Sequence, residues 1–242
     1  MEKFSVRFAT TESEITSAYR LRFNDMLMQY RSDAKSVNGL DITPCDAYAK
    51  QIVCIDNETG EVVGCYRMIT DDCLPKGERF LCEDEFNIDK LKSTGEKIME
   101  LSRAVVKTEY RNSSVLPLLL RFIVLYIREN GYRFVIGDAS FFGTDKNQYA
   151  QELAYLAQNF AIDNSLNVYS TQADQIDYSA VQPLTADEAR KRLPALLKVY
   201  TSFGAKVSTT AFSDYDFGSI DVFILLDAKN CNDEYINRLL RI

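Results

Sequence analysis

KIMELSRAVVKTEYRNSSVLPLLLRFIVLYIRENGYRFVIGDASFFG, residues Lys97–Gly143, is the stretch whose reading decides the fold. It reads as strand, tight loop, long helix, strand. Lys97–Val106 is apolar except for Glu100 and Arg103, and a turn-like cluster, Glu109–Ser114, follows. Val115–Glu129 is strongly apolar with Arg121 and Arg128, and Asn130-Gly131 stops it, since both residues tolerate the left-handed conformation. Tyr132–Ile136 reads as a short buried strand. A strand-loop-helix-strand unit points the loop's N–H groups at a helix N-terminus, which attracts anions. With two charges on the incoming strand, the layout suits a phosphate-bearing thioester donor. A buried strand feeding a helix is also common in α/β proteins that have no such site.

The chain on either side continues the alternation. Phe4–Ala9 reads as a strand, and Thr10–Glu14 caps a helix to about Tyr30 with Arg20 and Arg22 at its centre. Arg31–Asp46 is a polar loop with Asp41 and Asp46, long enough to be functional. Gln51–Asp56 and Glu61–Thr70 form a hairpin around Gly60, with Arg67 inside the second apolar run. Asp71–Gly95 is irregular, with a short helix around Glu83–Leu91. Later come a helix over Asp145–Gln158 and a strand at Leu166–Tyr169. A helix opened by Thr185 follows, interrupted by Pro194, and then two strands and a terminal helix over Asp233–Arg241. No linker or repeat is visible. The pattern predicts one α/β or α+β domain over residues 1–242, on a mixed sheet with helices on both faces.

Composition narrows the chemistry. A hydrophobic content of 46% in 242 residues allows a sizeable core. A net charge of −7 argues against a generic nucleic-acid binder. The chain has no histidine, which removes Ser-His-Asp and Cys-His catalysis and the commonest zinc ligand. Six cysteines make no C-x-x-C pair, and Cys54 and Cys65 lie in apolar runs where buried free thiols are common. No signal peptide or membrane-length apolar run is visible, so the expectation is a reduced, cytoplasmic protein, with peripheral membrane contact left open.

The run MELSRAVVKTEYRNSSVLPLLLRFIVLYIRENGYRFVIGDASFFGTD resembles the core of the ornithine-acyl-carrier-protein N-acyltransferases, the lyso-ornithine-lipid synthase branch of the GNAT superfamily. AYRLRFNDM, LDITPCDAYAK, ETGEVVGCYRM, LPALLKVYTSFGAKV and FGSIDVFILL extend the likeness over most of the chain. The order Arg, Asp, Asp, Arg, Glu, Arg also resembles the related acyl-homoserine-lactone synthases. The resemblance implies a GNAT-like, mainly antiparallel central sheet with a splayed strand pair. It implies transfer of a (3-hydroxy)fatty acyl group from an acyl-phosphopantetheine to an amino-acid amine, ornithine first, giving a lyso-aminolipid. Other amino acids, homoserine-lactone synthesis and a non-catalytic lipid- or carrier-binding module are the alternatives. No permanent cofactor and no metal are implied. The partners are acyl carrier protein, or coenzyme A, and the acceptor. The loop Arg111–Val115 lacks glycine, which suits a single phosphate better than a pyrophosphate.

Under that resemblance Glu100 is the general base, working through a water, against the alternative of an ion pair with Arg103. Arg103 is expected in the same cleft. Three residues apart on a regular strand the two would face opposite ways, so a bulge is predicted near Leu101–Ala104. Val105, Arg111, Ser113, Ser114, Val115 and Leu116 are the expected phosphopantetheine contacts. Arg22 and Arg67 bind the acceptor carboxylate or order the acidic loop, and Asp41 and Asp46 hold an ammonium or take loop-ordering contacts. Tyr48 and Tyr126 are candidate donors to the leaving thiolate, or core residues. Arg111, Arg121, Arg128 and Lys107 form a candidate carrier-docking patch, with Arg190-Lys191-Arg192 as a second, as a contact for anionic lipid headgroups, or by default as a plain solvated helix face. The reading requires Glu100 and the turn after Arg111 to open onto one groove.

Overall fold

The computed structural model describes residues 2–36 and 38–242. Its strands are β1 (Phe4–Phe8), β2 (Lys50–Asp56), β3 (Glu61–Thr70), β4 (Phe86–Asn87), β5 (Ile98–Val106), β6 (Phe134–Phe142), β7 (Tyr169–Ser170), β8 (Lys206–Asp214) and β9 (Ser219–Asp227). Its α-helices are α1 (Glu12–Arg22), α2 (Met28–Tyr30), α3 (Asp89–Lys92), α4 (Val115–Asn130), α5 (Ala150–Asn159), α6 (Ala186–Arg192), α7 (Ala195–Ser202) and α8 (Asp233–Leu240). The fold is α/β with a mainly antiparallel central sheet and helices, as expected. The chain forms two compact units that interleave in sequence. The first takes Met1–Glu78, Met99–Gly131 and Ile236–Ile242, and the second takes Arg79–Ile98 and Tyr132–Tyr235. Neither is one stretch of chain, which is why no linker is legible.

In the first unit β1, β2, β3 and β5 lie side by side, each antiparallel to the next. The hairpin turns at Gly60, at φ 73°, where the Gly60 amide closes on the Asp56 carbonyl at 2.8 Å. Cross-strand partners share a face, so the register assigns the two sides of the sheet. Helix α1 packs Ala18 and Leu21 with Val53, Cys65 and Val105 on one side. Its N-cap is Thr11, which accepts the Glu14 amide, and it runs on through a π-turn at Phe23–Leu27.

Helix α4 covers the other side. A Cβ on Gly64 would stand 2.6 Å from a Val115 methyl and 3.0 Å from a Leu119 methyl, so only glycine lets the helix approach β3 this closely. Phe8 of β1 meets Phe122 and Tyr126 edge-on, each pair of centroids 5.2 Å apart. That contact makes Tyr126 a packing residue. Helix α4 ends where Asn130-Gly131 predicts, with Gly131 left-handed at φ 69°. Pro117 sits in its first turn, where a missing N–H costs no helical bond.

In the second unit β6, β9 and β8 run antiparallel, and β4 pairs with β7. Its core joins Phe141, Leu153, Leu156, Leu197, Val207 and Val222. Three expectations are corrected here. The strand expected at Tyr132–Ile136 runs to Phe142, continuing through Gly137 and Asp138 because β9 pairs along its whole length. The helix expected around Glu83–Leu91 is a 3-10 turn at Leu81–Asp84, then β4, then the single turn α3. The strand expected at Leu166–Tyr169 begins at Tyr169, after a 3-10 turn at Asn164–Leu166. The capping box of α6 forms between Thr185 and Glu188, and Pro194 separates α6 from α7. All six cysteines are free thiols, and burial pushes those of Cys54 and Cys65 up to about 12. No helix among the described residues is long and apolar enough to cross a membrane.

Candidate active site

Strand β5 carries the predicted bulge. Cys65 pairs with Val105 and Arg67 with Ser102, so β5 spends one residue more than β3 across this interval. Arg103 sits in the bulge at φ 54°, a left-handed conformation that costs a non-glycine residue roughly 1–2 kcal/mol. The extra residue brings Arg103 to the α1 side, where its Nε donates to Asp41 Oδ2 at 3.0 Å. Arg67 and Ser102 are directly opposite each other, and Ile69 pairs with Glu100. Glu100, Ser102, Arg67 and Arg103 therefore lie on one face, with Arg103 brought there by the bulge expected near Leu101–Ala104. Glu100 is buried, only 1% exposed.

The two aspartates of the long loop are engaged by arginines. Arg22, wholly buried, donates from Nε to Asp41 Oδ2 at 2.8 Å and from Nη1 and Nη2 to the two Asp46 oxygens at 2.7 and 3.0 Å. Asp46 also accepts from Gln51 Nε2 at 3.1 Å and from the Thr43 amide at 2.8 Å. Burial alone would raise the Asp46 carboxyl, but hydrogen bonds from Arg22 and the charges of Arg22 and Arg67 hold it at about 2. Asp41 is likewise held low against its burial, by Arg103 and Arg22. These contacts match the loop-ordering reading for Arg22, Asp41 and Asp46.

Arg67 differs. Its Nε donates to Ser102 Oγ at 2.9 Å and its Nη1 to Thr43 Oγ1 at 2.6 Å, with Asp46 Oδ2 at 3.5 Å. Its Nη2 is buried and has no hydrogen-bond partner. Burial, then the charge of Arg103, lowers the Arg67 pKa, and Asp46 opposes them. A buried donor without an acceptor is expensive, and an anionic ligand would supply one. Beside this face Tyr48 is half-buried. Burial raises its phenol above the ordinary value, Cys45, Glu78 and Glu100 add to the rise, and Arg67 opposes it. Thr43, Gln51 and Ser102 were not singled out from the sequence. The cross-strand register reveals Gln51 and Ser102 as partners of the two arginines, and Thr43 is brought to Arg67 by the folded loop.

The proposed phosphate turn lies beyond the far end of β5. From Glu100 to Val106 the strand covers about 20 Å. Arg111 bridges backbone carbonyls, with Nη2 to Asp25 O at 2.9 Å and Nε to Val106 O at 3.3 Å. Asp25, in the π-turn after α1, also takes the Thr108 amide at 2.9 Å. The π-turn thus ties down the loop that feeds α4. Ser113 Oγ donates to Tyr110 O and receives the Val115 amide, while position 117 is proline; the Ser114 and Leu116 amides complete the first turn. The side chains of Val105 and Val115 are core, so any donor contact there is through backbone. Lys107 pairs with Glu61 at 2.6 Å, and Arg192 with Glu152 at 2.8 Å. In the second unit, oxygens of Glu85, Asp214 and Asp221 lie within 4.8 Å of one another; an acidic cluster alone does not make a metal site.

A family profile described as an acetyltransferase (GNAT) domain matches residues 13–121. The L-ornithine N(alpha)-acyltransferase of Rhodobacter capsulatus is 26% identical over 96% of this chain and 93% of its own. That of Rhizobium meliloti is 28% identical over 96% of this chain and 82% of its own. Among solved structures, the CoA-dependent acyl-homoserine lactone synthase MesI aligns with a TM-score of 0.53 at 14% identity, over 98% of this chain and 96% of its own. FeeM, an N-acyl amino acid synthase from uncultured soil microbes, aligns with a TM-score of 0.52 at 11% identity, over 94% of this chain and 91% of its own. At those identities the structural likeness is one of fold.

Proposed function

We propose, from the premise that this chain belongs to the GNAT acyltransferases beside the ornithine Nα-acyltransferases, that it moves a fatty acyl group from a phosphopantetheine thioester to the α-amine of ornithine. The observation that carries the acceptor side is the buried, unsatisfied Nη2 of Arg67 on the same face as Glu100. The acceptor's carboxylate binds Arg67, completing its fork. The α-ammonium then lies near Glu100, which takes its proton through a water. The freed amine attacks the thioester carbonyl; the C–N bond forms, the C–S bond breaks, and the second proton shed by the nitrogen passes to the leaving thiolate. Arg22, Asp41, Asp46 and Arg103 hold the acidic loop over this face, so their part is positioning.

The donor's phosphate rests on the amides that open α4, and its arm lies along β5 toward Glu100. Glu100 lies on the α1 side, and Arg111 donates to Asp25 O in the π-turn that continues α1, so the arm runs along β5 on that side. The glycine-free turn favours acyl carrier protein over coenzyme A as the donor. Arg121 and Arg128 of α4 are the basic side chains available for that carrier, since Lys107 and Arg111 are engaged. The two compact units act together as one acyltransferase.

The test is expression in a bacterial host that makes no N-acyl amino acids, followed by mass spectrometry of its lipids. Acyl-ornithine present with the wild type and absent with Glu100→Gln supports the assignment. Methylthioadenosine with an acyl lactone would replace it with homoserine-lactone synthesis.

A further inference from the structure

The turn between β5 and α4 is held at both ends by one residue of the π-turn. Asp25 Oδ1 accepts the Thr108 amide at 2.9 Å and the Thr108 hydroxyl at 2.8 Å. Hydrogen bonds to an ionised carboxylate are among the stronger ones. The Asp25 carbonyl accepts Arg111 Nη2 at 2.9 Å, while Arg111 Nε reaches back to Val106 O at 3.3 Å. Thr108 lies just past the end of β5, and Arg111 lies just ahead of α4. Asp25 thus fixes the turn where it leaves the strand and where it approaches the helix.

The other bonds of the turn shape it without fixing it on this side. The Tyr110, Arg111 and Ser113 amides close on Lys107 O, Thr108 O and Tyr110 O at 2.8, 3.4 and 3.0 Å. Tyr110 Oη on Asp56 Oδ2 and Lys107 Nζ on Glu61 Oε1 tie the turn to the hairpin of β2 and β3. The ties to the α1 side pass through Asp25. Arg22, the last residue of α1, instead holds the acidic loop through Asp41 and Asp46. Three residues apart on an unbroken α-helix, Arg22 and Asp25 would share a face. The π-turn Phe23–Leu27 contains Asp25, and the two residues serve different partners, the acceptor-side loop and the donor-side turn. Single π-turns set into helices recur at functional sites.

We infer that Asp25 is a positioning residue for the donor, holding the turn so that the amides ahead of α4 meet the phosphate of the phosphopantetheine arm. This rests on the acyl-transfer reading above and deepens it. Asp25 acts through Thr108 and Arg111 and stands outside the Arg22–Asp46 pair, so its loss falls on donor binding rather than on the acceptor.

The experiment measures donor and acceptor KM separately, with ornithine and an acyl carrier protein thioester. Asp25→Ala is expected to raise the donor KM about tenfold, with the acceptor KM and kcat near those of the wild type. Asp25→Asn, whose side-chain oxygen accepts the same two bonds from Thr108, should keep the donor KM within about twofold of wild type. A second comparison sets acyl-phosphopantetheine against acyl-pantetheine, two donors that differ only by the phosphate. The wild type should favour the first, and Asp25→Ala should lose that preference. An Asp25→Ala enzyme with the wild-type donor KM, or with equal penalties on donor and acceptor, overturns the role of Asp25 and leaves the acyl-transfer reading standing. A wild type that acylates no amine overturns both.

Discussion

Arg22 and Asp46 meet as a two-pronged buried pair, Nη1 to Oδ1 at 2.7 Å and Nη2 to Oδ2 at 3.0 Å, joining α1 to the loop that closes over the candidate site. Truncating Asp46 would leave a wholly buried guanidinium without its main partner. Asp46→Ala is therefore expected to destabilise the fold by about 3–5 kcal/mol, measured by urea unfolding. A loss under about 1 kcal/mol would mean that the loop is held by something else.

The same pair makes stability depend on acidity. The Asp46 carboxyl sits at about 2 when folded against an ordinary 3.8. A depressed carboxyl stabilises the fold above its unfolded value and loses that contribution as pH falls through its folded value, here roughly 2 kcal/mol. The stability gap between wild type and Asp46→Ala should therefore be full at neutral pH and narrow from about 4 downward toward 2. A gap that widens on acidification would reverse the assigned sign.

Arg67 is expected to act on the acceptor alone. Arg67→Lys keeps the charge but loses the fork, so the acceptor KM should rise about 10- to 100-fold with the donor KM unchanged. Ornithine amide, which lacks the carboxylate, should show no such penalty. Equal penalties for both acceptors would place Arg67 among the loop-holding residues.

Glu100→Gln preserves shape and removes the base. The expected result is a fall in kcat of about 10²- to 10³-fold at unchanged donor affinity. Full turnover in this variant would leave acyl transfer possible and remove Glu100 from it.

Much of this was legible from spacing. Glu100 and Arg103 lie three apart in an apolar strand, which demands a bulge if both serve one cleft, and the bulge is there with Arg103 at φ 54°. Asn130-Gly131 and Thr185–Glu188 marked helix ends because their backbone chemistry is local. What escaped the sequence depends on partners distant along the chain. Ser102 faces Arg67 only through the β3–β5 register, and no spacing tells that Asp46 would be shared by Arg22, Gln51 and Thr43. β6 runs past Gly137 and Asp138, residues that end an apolar run in sequence but not a ladder held by β9. The π-turn at Phe23–Leu27 left no local mark either; its purpose shows only when Asp25 takes the Thr108 amide.

The most direct test is to mix purified protein with a 3-hydroxyacyl thioester of acyl carrier protein and ornithine, and to follow free thiol against N-acyl-ornithine by mass spectrometry. Equimolar release of thiol and appearance of product, both dependent on ornithine, is the predicted result. Thiol release no faster than spontaneous hydrolysis, with ornithine or any other amino acid, would contradict the account.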